Sequence, residues 1–80
     1  MIPARELLSH LKKMPFTPFR IILNSGKTID VPHPEMVRVG KVTFVVFEPD
    51  AQDTEYYDIY STVSLFLVAR IEHREPATIS

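Results

Sequence analysis

Apolar residues near the start of the chain recur at the spacing of an α-helix. Four of them stand at positions i, i+1, i+4 and i+7 and so share one side of a helix: Leu7, Leu8, Leu11 and Met14. Pro3 suits the first helical turn, where an N–H group is not needed, and Pro15 disfavours helical geometry at the residue before it. The pattern predicts a helix over about residues 3–14. Its apolar stripe must pack on another element, because so short a helix is marginal alone.

From Phe19 onward the pattern changes to the period of two that is typical of β-strands. The residues of the first strand that we expect to face the core are Phe19, Ile21 and Leu23. Residues 24–26 (Asn-Ser-Gly) predict a tight hairpin turn in which Gly26 takes a positive φ. Residues 28–31 are therefore expected to return beside the first strand.

Two prolines, Pro32 and Pro34, interrupt the strand pattern. A proline cannot donate a hydrogen bond to a strand ladder, so this stretch is expected at an edge or a bulge. The strand pattern resumes over residues 36–39, and a second turn is expected at residues 40–41. Residues 42–47 (VTFVVF) are the most strand-like run of the chain, because they are β-branched and aromatic throughout.

The rest of the chain continues as loop, strand and turn. Residues 48–55 are polar and acidic and predict a loop, and residues 56–61 predict a strand. A single helical turn is plausible over residues 63–66, and the last strand is expected over residues 67–72. The tail at residues 76–80 is expected to be frayed, as chain ends often are.

These elements predict a mostly β (α+β) fold in a single domain over residues 1–80. The N-terminal helix is followed by about five antiparallel strands, which we expect to form a small SH3-like or Sm-like barrel over about residues 18–73. Closing a sheet into a barrel removes edges that would otherwise pair with other chains. An element order of this kind implies a fold and no function.

The segment at residues 15–20 (PFTPFR) has two interpretations. It matches the pattern of a proline-rich ligand for an SH3 domain, but such ligands lie in exposed, disordered segments, and this one runs straight into an apolar strand. A polyproline II segment has three residues per turn, which places Phe16 and Phe19 on the same side. We therefore expect the two rings to cap one end of the barrel while the prolines stiffen the hinge.

The chain resembles a family of small, mostly bacterial proteins over most of residues 5–72. That family shares a short N-terminal helix, a PF-x-PF-R block, an apolar strand, a Ser/Asp-Gly turn, a V-x-HP-E segment and a closing R-I-E. The matching segments here are residues 15–20, 24–26, 31–35 and 70–72. Ser25 stands where an aspartate is common, and the usual proline after Glu72 is missing. The resemblance implies no activity, because the family has none established.

The composition excludes several classes of protein. The chain has no cysteine, and this excludes disulfides, thiolate zinc sites, iron–sulfur clusters and cysteine nucleophiles. Small secreted domains often need disulfides, so we expect a cytoplasmic location. We find no apolar stretch of signal-peptide or membrane-spanning length. A net charge of −1 argues against a strong polyanion binder.

The charge is divided unevenly along the chain. Residues 1–41 carry seven Lys/Arg and three Asp/Glu, a charge of +4, whereas residues 42–80 carry two and seven, a charge of −5. Either the two halves pair their charges across the surface, or a basic face and an acidic face associate head to tail between copies.

The triplet His33-Pro34-Glu35 is the most suggestive for chemistry. A His-x-Glu pair occurs in zinc deaminases, but those enzymes also need cysteines. A metal site would have to combine His33 and Glu35 with His10 or His73, and nothing in the spacing brings them together. We therefore predict no metal site. A turn held by prolines is expected instead, with His33 bonded to a nearby carbonyl and Glu35 facing water or paired with Arg38.

Other reactive patterns are also missing. There is no Gly-x-Ser-x-Gly elbow, and the two glycines, Gly26 and Gly40, are too far apart for a phosphate-binding loop. Five acids fall within eleven residues but lack the central glycine of a calcium loop: Glu48, Asp50, Asp53, Glu55 and Asp58. We predict no enzyme, no catalytic residue and no cofactor.

The sequence therefore leaves the function unknown and favours a non-enzymatic small barrel that acts through protein contact, with self-association as one form of that contact. The alternative is an Sm-like barrel that binds RNA through stacked aromatics and the cations Arg20, Lys27, Arg38 and Lys41. The chain lacks the basic-Gly ending of the Sm pattern. The candidate partner-binding residues, all near the proline-interrupted edge, are Arg20, His33, Glu35 and Arg38.

Overall fold

The computed structural model describes residues 1–49 and 57–73. One helix, α1, is followed by six strands: α1 Ala4–Lys12, β1 Phe19–Leu23, β2 Thr28–Val31, β3 Val37–Val39, β4 Thr43–Pro49, β5 Tyr57–Ser64 and β6 Val68–His73. Short 3-10 turns at Pro34–Met36 and Leu65–Leu67 precede β3 and β6. The chain is thus mostly β with one N-terminal helix, as the sequence predicts.

The strands form two three-stranded antiparallel sheets. Their orders are β2-β1-β6 and β3-β4-β5, so the chain passes from the first sheet to the second between β2 and β3. Pro32 and Pro34 lie at that passage, which explains why six strands replace the expected five or so. The pairings of the described strands do not close into one barrel, so the expected closed barrel is not confirmed.

The first hairpin forms where the sequence predicts it. β1 and β2 pair around residues 24–27, and Gly26 has a φ of 91°. The N–H of Leu23 donates to the carbonyl of Lys27 over 2.9 Å, and the N–H of Gly26 donates to the carbonyl of Leu23 over 2.9 Å. Glycine adopts this left-handed conformation without a steric penalty, so the local sequence fixes the turn.

The later elements form near their predicted positions, but their bounds differ. β4 runs to Pro49, two residues into the predicted acidic loop, and β5 runs to Ser64, three residues beyond its predicted end. The N–H of Gly40 donates to the carbonyl of Thr43 over 2.8 Å and closes the turn between β3 and β4. The helical turn before the last strand lies at Leu65–Leu67, where the Ser64 hydroxyl accepts a hydrogen bond from the N–H of Phe66 over 3.2 Å. The predicted acidic loop and frayed tail fall largely or wholly on residues 50–56 and 74–80, outside the described residues.

The core lies between the two sheets and α1. Its buried apolar residues are Ile2, Leu7, Phe19, Ile21, Val31, Met36, Val37, Phe44, Val46, Leu65 and Val68. No polar residue among the described ones is buried with them. No helix in the described ranges is long and apolar enough to cross a membrane.

The helical stripe differs from the prediction at two residues. Leu7 is fully buried and Leu11 packs against the core, but Leu8 is 37% exposed and Met14 is 90% exposed. Met14 cannot belong to the stripe because α1 ends at Lys12, two residues before the predicted end. Ile2, which precedes the helix, is buried with the core instead.

The two phenylalanines of the PFTPFR segment meet as expected. Their ring centroids lie 6.0 Å apart, Phe19 is fully buried, and the half-buried Phe16 packs against the core. A ligand for an SH3 domain would need these residues to be accessible. The segment therefore joins α1 to β1, and both of its rings pack on the core.

Candidate interaction groove between helix α1 and strand β3

Strand β3 lies at the edge of the second sheet. It pairs only with β4 among the described strands, with Val37 opposite Val46, Arg38 opposite Val45 and Val39 opposite Phe44. An edge strand presents main-chain N–H and C=O groups that another chain can pair with. β3 is only three residues long, which limits such pairing to a short segment.

A groove of about 430 Å³ lies between α1 and β3. Its lining residues are Leu8, Leu11, Lys12, Pro34, Glu35, Val37, Arg38 and Val39. The volume falls within the range of roughly 300–1,000 Å³ that is usual for ligand-binding clefts. We call this feature the α1–β3 groove.

The walls of the α1–β3 groove are apolar on both sides. Leu8 and Leu11 come from the helix, and Val37 and Val39 come from the strand. Leu8 is exposed and Leu11 and Val39 are half-buried, so they offer apolar surface that the fold itself leaves uncovered. Apolar walls of this kind stabilise an apolar side chain that enters from another molecule.

Three charged side chains also line the groove. Lys12 lies in the last turn of α1, Glu35 lies in the 3-10 turn, and Arg38 is exposed on β3. Of the two alternatives expected for Glu35, the pair with Arg38 is not among the ion pairs of the described residues, and Glu35 is exposed to water. Two cations against one carboxylate give the groove a positive balance.

Arg20 lies away from the groove, on β1. Its register partner on β2 is Asp30, and its Nε lies 2.8 Å from the Asp30 Oδ1. The hydrogen bond from Arg20 to Asp30, and the charge of that carboxylate, raise the pKa of Arg20. Both side chains are partly exposed, so the pair adds little stability, but it does occupy the guanidinium.

His33 lies beside the groove but does not line it. It is exposed, and its main-chain carbonyl accepts a hydrogen bond from the N–H of Met36 over 3.2 Å. The predicted side-chain bond from His33 to a carbonyl is not present among the contacts of the described residues. Of the four sequence-derived candidates, the structure therefore brings Glu35 and Arg38 together in the groove and leaves Arg20 and His33 outside it.

The histidines do not come together in the metal site that the sequence analysis considered. His10 and His73 are in contact, with ring centroids 4.7 Å apart. His33 instead directly precedes the 3-10 turn at Pro34–Met36. Within the described ranges no three His, Cys, Asp or Glu side chains are placed to hold a metal ion. The contact between His10 and His73 joins two segments that are far apart in the sequence.

Two ion pairs of the described residues each lie within one half of the chain. Arg20–Asp30 lies within residues 1–41, and Arg70–Glu72, at 2.9 Å, lies within residues 42–80. The two halves nevertheless face each other where Glu72 stands opposite Arg20 in the register of β6 and β1.

A second cavity, of about 240 Å³, lies between β2 and the strands β4 and β5. It contains none of the four candidate residues. Its lining residues are Leu23, Lys27, Thr28, Ile29, Asp30, Met36, Val46, Glu48, Ser61 and Val63. It is smaller than most small-molecule clefts.

Sequence reasoning missed the helical side of the groove. Leu8, Leu11 and Lys12 line it, but the helical period assigned both leucines to the buried stripe. A signal was present: Leu8 follows Leu7 directly, and two adjacent helical residues point about 100° apart, so both cannot face the centre of the core.

Comparisons with known protein families, curated proteins and solved structures give no match for this chain. The family resemblance of residues 5–72 therefore stays a prediction.

Proposed function

We propose that this protein is a non-enzymatic interaction module that binds an extended segment of another polypeptide in the α1–β3 groove. The observation that carries the proposal is the position of an edge strand, β3, beside exposed leucine surface of α1. Extended peptides commonly bind by adding a strand to such an edge, because main-chain hydrogen bonds supply affinity and side-chain pockets supply specificity.

The groove chemistry favours a segment that is both apolar and acidic. Leu8, Leu11 and Val39 offer an apolar surface, while Lys12 and Arg38 outnumber the single carboxylate of Glu35. An acidic side chain on the segment would gain from these cations, chiefly in the rate and specificity of association. Among the described residues, no ion pair occupies Arg38, which supports this role, whereas Arg20 is paired with Asp30.

A pair of matched substitutions tests the proposal. We expect Leu8→Glu to abolish selection of acidic-apolar peptides from a random displayed library and Leu67→Glu to leave it intact. Both leucines are exposed, at 37% and 50%, and Leu67 lies outside the groove. In Leu8→Glu, the glutamate has a helix propensity close to that of leucine, and it places a negative charge on the groove wall.

The selection has clear opposing outcomes. Failure to enrich any peptide, or equal binding of the enriched peptides to the Leu8→Glu variant, would contradict the groove. Light scattering at several salt concentrations runs alongside it. A dimer that Leu8→Glu dissociates would show that a second copy of the chain, rather than a foreign protein, occupies the groove.

The finer fold is a proposal as well. β2 and β3 follow one another across the prolines and belong to different sheets, as expected if one interrupted strand joins the two halves of a small SH3-like or Sm-like barrel. A small barrel provides a compact scaffold for an interaction module but does not identify its partner. The cytoplasmic location inferred from the absence of cysteine is proposed on the same footing.

One observation favours nucleic-acid binding as the alternative. Phe47 and Tyr60 pair across β4 and β5 with ring centroids 5.9 Å apart, and Tyr60 is 67% exposed, so bases could stack on this face. Arg38 and Thr62 both pair with Val45, so these three residues lie on one face of the second sheet. Arg38 is the cation that this face could offer to a phosphate.

This alternative is decided by titrating the protein with a short single-stranded RNA at low and moderate salt. We expect no binding even at low salt, because the net charge is −1 and Arg20 is paired. Binding that falls with salt and is lost in Tyr60→Ala, but not in Tyr60→Phe, would establish the alternative.

A further inference from the structure

Three rings hold the second half of α1 against the first sheet. His10 of α1 lies over Phe19 of β1 with centroids 5.5 Å apart and over His73 of β6 with centroids 4.7 Å apart. Phe19 and His73 also meet edge to face at 6.3 Å. We call His10, Phe19 and His73 the ring cluster. It joins the helix to the strand at the C-terminal end of the described chain.

The charges around His10 come from two elements. On its own segment, Glu6 stands one turn earlier and Lys13 directly follows the helix, and from β6 the facing group is His73. β1 contributes Phe19, which carries no charge. Arg70 and Glu72 of β6 bond to each other at 2.9 Å and, by strand alternation, lie on the side of β6 opposite His73.

Burial of His10 lowers its pKa from the usual 6.5; His73 and Lys13 lower it further, and Glu6 acts in the opposite direction. His10 binds a proton less readily in the folded chain than in the unfolded one, so its contribution to stability is present above about pH 6.5 and is lost as the pH falls below that value.

We propose that the contact between His10 and His73 makes the packing of α1 sensitive to acid, so that protonation of His10 against the ring of His73 releases the second half of the helix from β6. A positive charge on His10 is disfavoured by its burial and by His73 and Lys13, and Glu6, one turn earlier on α1, offsets this only in part. The fold itself remains, because the two sheets keep their own hydrogen bonds.

This release has a consequence for the α1–β3 groove, a step that rests on the proposed function. Leu8, Leu11 and Lys12, which form the helical wall of the groove, flank His10 on the same helix. Acidification would therefore remove one wall and weaken peptide binding, while β3 stays in place.

Hydrogen exchange of the α1 amides tests the acid-sensitive packing without any partner. Between pH 7.5 and pH 5.5, after correction for intrinsic exchange rates, we expect protection of the amides of residues 8–12 to fall by about tenfold more than that of β4. In His10→Gln the extra loss should disappear. In His73→Gln it should become smaller, because the repulsion from the facing ring is gone while the burial of His10 remains. His33→Gln is the matched control and should behave as the natural chain does.

The outcomes separate this inference from the proposed function. Equal pH responses of α1 and β4, or an unchanged response in both His10→Gln and His73→Gln, would overturn it. If His10→Gln perturbs the helix at pH 7.5, His73→Gln decides, because it leaves the helix sequence untouched. Failure of peptides to bind the groove would refute the proposed function and leave the exchange result standing.

Discussion

Replacing Phe19 with alanine is expected to remove a large part of the stability of this protein. Phe19 is fully buried in the central strand of the first sheet, and its ring contacts those of His10, Phe16 and His73. Truncating a buried phenylalanine costs about 3–5 kcal/mol, because apolar contact is lost and a cavity is left. A free energy of unfolding of roughly 0.05–0.15 kcal/mol per residue leaves a chain this short little reserve.

Urea unfolding of Phe19→Ala beside Phe66→Ala measures the effect. The two variants make the same chemical change, but Phe66 is 59% exposed and should shift the free energy of unfolding by no more than about 0.5 kcal/mol. Similar losses in both variants would show that the ring of Phe19 does not anchor the core.

The second large loss of stability is expected when Leu7 of α1 is replaced. Leu7→Ala should lower the free energy of unfolding by about 2–5 kcal/mol, because Leu7 is fully buried and is the main contact of α1 with the core. Leu8→Ala is the natural control, since it changes the next residue of the same helix in the same way. Leu8 is partly exposed, and we expect its loss to be less than about 1 kcal/mol.

The difference between the two leucine variants isolates packing from helix propensity, which both changes alter equally. Denaturant unfolding followed by circular dichroism gives both values. A small and equal effect of the two substitutions would mean that α1 does not pack on the sheets, and the α1–β3 groove would then lose its helical wall.

Local sequence determined much of this fold. The hairpin at residues 24–27 was predictable because Gly26 supplies the positive φ that the turn needs, and β4 because its residues are β-branched and aromatic. The register of that hairpin also places Arg20 opposite Asp30, so the ion pair that occupies Arg20 was within reach of the sequence.

The candidate site was less accessible to sequence reasoning. The α1–β3 groove depends on how α1 packs beside β3, and its walls come from segments more than 20 residues apart. Helical period alone could not separate Leu7 from Leu8, nor show that α1 ends before Met14. The contact between His10 and His73 likewise depends on tertiary packing rather than on any local motif.

The central claim is that a peptide segment binds between α1 and β3. Its most direct test is the mapping of amide chemical shifts of the isotope-labelled protein during titration with a peptide enriched in the library selection. We expect the largest changes at residues 8–12 and at Val37–Val39, with slowed exchange of β3 amides as a new strand pairs with them. Changes centred on Phe47 and Tyr60, or on the turn at Leu65–Leu67, would contradict the claim.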